Sequence, residues 1–173
     1  TGSESPSGSS ASWGSGEGNC LFTCMENIGS HYGLKFTEEE YGCKYKDPDF
    51  WEKSGYVRVT TANVPTAYFD NDGDPIPNPD TENFINMFFE TSGGWETNSS
   101  KIDDYFKWKA PKGQVIGVTK TDNEKVTHAI ILDGDSGNYY SYKDPLYGER
   151  GDIAKDQVIY AIKIYGTKAS EEK

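Results

Sequence analysis

The chain has 173 residues, one domain's worth, with a formal net charge of −11 and 34% apolar residues. So acidic a surface repels phosphate backbones and argues against nucleic acid as a partner, and no stretch approaches the ~20 apolar residues of a membrane helix. Aromatic residues make up 14% of the chain, so the core is expected to rest on few, large side chains.

Residues 1–12 are almost all Ser, Gly, Pro and Thr and read as a flexible linker. They resemble the tether that follows a removed secretion or lipoprotein signal in bacterial surface proteins, which implies a secreted or surface-anchored protein. Residues 13–166 form the expected domain, and 167–173 a polar, disordered tail. Leu21, Met25, Ile28 and Tyr32 recur at helical spacing and predict a helix over Cys20 to Tyr32, stopped by Gly33. Thr37-Glu38-Glu39-Glu40 carries a capping-box pattern for a second, short helix. A proline-rich region follows, with a possible strand over Tyr56 to Thr60 and an acidic turn at Asp70-Asn71-Asp72-Gly73-Asp74. That turn lacks the glycine and glutamate positions of an EF-hand loop. Helices are expected over Thr81 to Glu90 and Ile102 to Lys107. After Pro111 the texture changes to strands: Gln114 to Thr119, Thr127 to Leu132, Tyr139 to Lys143 and Val158 to Tyr165. Helices first and an antiparallel sheet later predict an α+β fold with a cleft where the first helix meets the sheet.

Three residues stand out chemically. Cys20 is placed at the start of the first helix, where backbone N–H groups and the helix dipole favour a thiolate. Glycines at 14, 16 and 18 would let a substrate approach the backbone. Cys24, one turn on, reads as core packing or half of a disulfide with Cys43. Of the two histidines, His31 reads as a helix C-terminal residue facing the dipole, which leaves His128 at the head of the strand Ala129-Ile130-Ile131-Leu132. Pairing about a turn centred near Ser136 puts His128 directly opposite Asp144, with Cβ atoms about 4.5–5.5 Å apart. An imidazole held by a carboxylate has a fixed tautomer and is stabilised when protonated.

At this point the chain resembles the peptidase C39-like group of papain-like cysteine peptidases. Cys20, followed thirteen residues later by Gly33 in His31-Tyr32-Gly33, is similar to that family's N-terminal helix. Lys112-Gly113-Gln114-Val115-Ile116-Gly117-Val118 is similar to its first central strand. Thr127-His128-Ala129-Ile130-Ile131-Leu132-Asp133-Gly134 resembles its His strand, and Tyr142-Lys143-Asp144-Pro145-Leu146-Tyr147-Gly148 its Asp-Pro motif. The middle, about Tyr41 to Pro79, has no clear counterpart. The resemblance implies a papain-like fold and thiol-dependent hydrolysis of a peptide or protein substrate, with Cys20 as nucleophile, His128 as general base then acid, and Asp144 as its orienter. It implies no cofactor and no metal, and a monomer is expected. Two departures stand beside it. The family's oxyanion Gln, about six residues before the Cys, is Gly14 here, and its Gly-Pro after the Cys is Leu21-Phe22. Two alternatives follow: a papain-like binding module with impaired catalysis, and a transglutaminase-like acyl transferase, which also uses Cys, His and Asp.

Overall fold

The computed structural model describes residues 17–58, 67–121 and 127–168. Helix α1 (Glu17–His31) leads into α2 (Glu38–Lys46) and α3 (Pro48–Lys53). A small hairpin follows, β1 (Ala67–Phe69) with β2 (Pro75–Pro77), then α4 (Pro79–Phe88), β3 (Phe89–Thr91) and α5 (Ser99–Asp104). The second half is sheet: β4 (Gln114–Lys120), β5 (Thr127–Asp135), β6 (Tyr139–Asp144), β7 (Glu149–Ala154) and β8 (Val158–Thr167). The main sheet is antiparallel and six-stranded, in the order β3-β8-β4-β5-β6-β7. The protein is therefore α+β, with N-terminal helices packed on a largely C-terminal antiparallel sheet. Among the described residues no helix is long and apolar enough to cross a membrane.

Local chemistry explains the helix ends. Gly33 takes φ 90°, Leu34 N–H donates to the Gly29 carbonyl at 2.7 Å, and Gly33 N–H donates to the Ser30 carbonyl at 3.2 Å. This pair of bonds closes α1 and requires a residue tolerant of positive φ. Thr37 caps α2 reciprocally: Glu40 N–H donates to its hydroxyl, and its own N–H donates to the Glu40 carboxylate. Asn78 caps α4 with Pro79 in the first turn, so that helix starts two residues before Thr81.

The sheet is covered on both faces, which is why β5 reads as an unbroken apolar run rather than an alternation. Ala129 and Ile131 of β5, Ile116 and Val118 of β4, and Tyr160, Ile162 and Ile164 of β8 join the larger core. Ile130, Leu132, Val115, Tyr140 and Ala161 join a smaller one capped by Ile102 of α5. The larger core contains an aromatic cluster centred on Phe84. Its ring lies 5.1–6.3 Å from those of Phe22, Tyr41, Tyr45, Phe50, Trp51 and Phe88, mostly edge to face. Edge-to-face contact sets the positive rim of one ring against the negative face of the next.

Several boundaries differ from the sequence-based expectation. Helix α1 starts three residues before Cys20, so Cys20 is its fourth residue. Helix α3, β1, β2 and β3 are additional elements, and β7 (Glu149–Ala154) is a further strand between the two expected over Tyr139 to Lys143 and Val158 to Tyr165. Tyr56 to Arg58 are not in a strand, and residues 59–60 lie outside the described residues, as do the linker 1–12 and residues 169–173. Thr167 belongs to β8 rather than to a tail, and Lys168 N–H donates to the Phe88 carbonyl at 3.0 Å. The β5–β6 register is also offset. Ile131 pairs with Lys143 and Leu132 with Tyr142; after a bulge, Gly134 pairs with Ser141 and Asp135 with Tyr140. The tight turn behind this shift is closed by Ser136 N–H on the Tyr139 carbonyl, with Gly137 at φ 88°. Extended by one step, the observed register sets Asp144 level with Ile130, diagonal to His128 instead of opposite it.

Removing the central ring of the aromatic cluster tests this account of the core. Phe84→Ala is expected to lower unfolding free energy by about 3–5 kcal/mol in a urea titration followed by circular dichroism.

Candidate active site

Three elements converge at one end of β5. Helix α1 lies against this strand, and its stripe of Cys20, Leu21, Cys24, Met25 and Ile28 is wholly buried. Pairing between β6 and β5 ends at Ile131 with Lys143, so β6 does not extend along β5 as far as Ala129. There the Ala129 N–H donates to the Cys20 sulfur at 3.2 Å. Cys20 thus sits against the residue next to His128.

His128 and Asp144 meet despite the shifted register. An offset of two residues keeps both side chains on one face of the sheet, where a diagonal pair lies within reach of long side chains. His128 Nε2 is 2.6 Å from Asp144 Oδ2. An ionised carboxylate only accepts, so this contact assigns the ring proton to Nε2 and leaves Nδ1 as the basic nitrogen. The other carboxylate oxygen, Oδ1, accepts from Leu146 N–H at 3.1 Å. Pro145 follows Asp144, and Gly148 N–H donates to the Asp144 carbonyl at 2.7 Å. Asp144 is therefore held through both carboxylate oxygens and its main chain, at 4% exposure.

Around the pair, Thr119 Oγ1 donates to the His128 carbonyl at 3.4 Å from β4. The Tyr147 ring lies 5.7 Å from the imidazole, tilted by 32°, and is itself largely exposed. Sequence reasoning did not single out Thr119 or Tyr147. Thr119 was hidden as one residue of a strand, whereas Tyr147, three residues after Asp144 in the same turn, could have been suspected.

The cysteines separate clearly, and all three are free. Cys43 is exposed, so a Cys24–Cys43 bridge is not formed. Cys24 is buried, and burial pushes its thiol well above the ordinary value. Cys20 and Asp144 push further the same way, and Lys143 partly opposes them. Cys24 is therefore a neutral thiol at physiological pH, within electrostatic reach of Cys20 and Asp144. Cys20 is 0% exposed, whereas the His128 side chain is 21% exposed. Cys20, expected at the very start of the helix, is instead its fourth residue, with its thiol wholly inside the larger core. Gly14 and Gly16 lie outside the described residues.

His31, at the other end of α1, packs its ring edge-on against Tyr32 at 4.9 Å and does not join this group. Asp70, Asp72 and Asp74 bring carboxylate oxygens within 4.8 Å of one another on the exposed β1–β2 turn. Asp70 Oδ1 there accepts from the N–H groups of Asp72 and Asp74, as an acidic turn requires.

No model of a known protein family matches the chain, and no curated protein matches it.

Asp144→Ala would strip His128 of its partner and leave Leu146 N–H without an acceptor. A downfield ring N–H proton resonance from His128 is expected in the unaltered protein and in Cys20→Ala, and is expected to vanish in Asp144→Ala. The same substitution should cost about 1–3 kcal/mol of stability in denaturant titration.

Proposed function

We propose that the protein is a papain-like thiol hydrolase of the C39-like type that cleaves peptide bonds through Cys20, His128 and Asp144. The observation that carries this reading is the 2.6 Å His128–Asp144 contact on the strand whose next residue, Ala129, donates to the Cys20 sulfur. With Nε2 committed to the carboxylate, Nδ1 is the atom that would take the Cys20 proton. The thiolate would attack the substrate carbonyl, and the tetrahedral intermediate would expel the amine as the imidazolium returns its proton. Water, deprotonated by the same imidazole, would then release the acid from the thioester. Asp144 would hold the ring's orientation and favour the imidazolium through both steps. The expected substrate is a peptide or protein, reached from a secreted or surface-anchored position.

The complete burial of Cys20 favours a second reading, a papain-like module that recognises a partner and does not turn it over. One experiment separates the two. In a Cys43→Ser background, iodoacetamide should alkylate Cys20 in the folded protein at neutral pH. His128→Ala should slow that reaction about tenfold or more, and Asp144→Asn by less. Hydrolysis of a fluorogenic peptide library should be abolished by Cys20→Ala. Labelling that occurs only on unfolding, or at the same rate with and without His128, would leave the recognition module as the better account.

A further inference from the structure

The end of the sheet remote from His128 carries a cleft that plays no part in the proposed hydrolysis. Thr119 pairs alongside His128, whereas Gln114, five residues back along β4, pairs with Ile164. That stretch of strand spans about 17 Å. Here a cleft of about 540 Å³ opens between the C-terminal end of α1, the turn after α5 and the ends of β4 and β8. Its size falls in the range of small-ligand sites.

Its lining is unlike the rest of this acidic chain. His31, Lys107, Lys112 and Lys163 face it, and among the described residues no carboxylate lines it. Lys107 is already paired with Asp104 at 2.7 Å, so the available positive charge rests on Lys112 and Lys163, with His31 beside them. Lys163 is the informative residue. It is 3% exposed, and its ammonium donates to the Tyr105 carbonyl at 2.6 Å. Among the described residues it has no carboxylate partner. A buried ammonium with a single neutral acceptor has donor capacity left over and lacks a counter-charge. Burial accordingly lowers its proton affinity.

The remaining walls are aromatic. Tyr105 and Tyr165 flank the Lys163 ammonium at 5.9 and 5.7 Å from their ring centres. Trp108 borders the cleft with 87% of its surface exposed, a costly position for a large flat ring, and the Lys109 ammonium lies 5.3 Å from its centre. The lining side chains therefore offer mostly donors and flat faces. An uncharged peptide backbone brings no counter-charge for the two ammonium groups. A ring bearing an oxyanion brings acceptors where the lysines are and a C–H face where the aromatic rings are. We propose that this cleft binds an acidic carbohydrate, a pyranose ring carrying a carboxylate, with the carboxylate on Lys163 and Lys112 and the ring against Trp108.

Isothermal titration calorimetry and tryptophan fluorescence on the whole chain test this with trigalacturonate, a hyaluronan tetrasaccharide and sialyllactose. At least one should bind and quench Trp108 fluorescence, with affinity falling as salt rises. Its methyl ester should bind at least about tenfold more weakly, as should the acid to Lys112→Ala or Lys163→Met. Trp108→Ala should abolish the fluorescence response. Lys112 and Trp108 are surface positions, so their variants remain informative if Lys163→Met disturbs folding. Binding by none of the three, equal binding of acid and ester, or tighter binding of a glutamate-rich peptide would overturn the proposal. Because the readout is binding, loss of alkylation at Cys20 bears only on the hydrolase reading and leaves this one standing.

Discussion

The packing of α1 against β5 is the contact on which the rest of the molecule depends. It removes the stripe from Cys20 to Ile28 from water and covers one face of a sheet whose other face is closed by the smaller core beneath α5. Each fully buried aliphatic side chain contributes about 1.5–3 kcal/mol, so the interface is held by apolar contact over its whole length. Its chemical consequence is local. Only because the helix seats this closely does the Cys20 sulfur come within 3.2 Å of a strand N–H beside His128.

The second constraint is the short segment from Asp144 to Gly148. Strand, proline and glycine turn act together there, and the carboxylate is fixed before any substrate arrives. A side chain held by a main-chain N–H on one oxygen and an imidazole on the other has little rotamer freedom left to lose. The partnership also holds in the shifted register, because the shift is an even one. Two residues of slip along β6 changed which strand neighbour Asp144 faces, yet left it on the face that His128 occupies.

How far the sequence spoke for the structure differs from element to element. The capping box at Thr37, the stop at Gly33 and the strand from Thr127 were legible because each rests on local backbone chemistry. The His128–Asp144 partnership was legible because the register error was two residues, which keeps side-chain parity; a slip of one would have put Asp144 on the other face. The register itself was not, since the bulge near Gly134 and the left-handed Gly137 leave no mark in the apolar pattern. Strand β7 was missed because Glu149-Arg150-Gly151-Asp152 buries nothing and so shows no period of two. The depth of Cys20 was missed for a related reason: periodicity reports which face of a helix is apolar, and says nothing of how closely the next layer covers it. The aromatic cluster was foreseen in composition only, since Tyr41, Trp51 and Phe84 are brought together by three helices whose docking no local pattern encodes.

Strand β7 also bears on how copies of the protein meet. It is one edge of the sheet, and at the other edge β3 is only three residues long. An open edge is a row of unpaired peptide groups ready to template another strand. Here one rim is too short to template much, and the other presents Glu149, Arg150 and Asp152 on a chain with a net charge of −11. Edge-to-edge stacking would press acidic rims together. The polar character that hid β7 from a pattern reading is also what makes this edge a poor template for another strand.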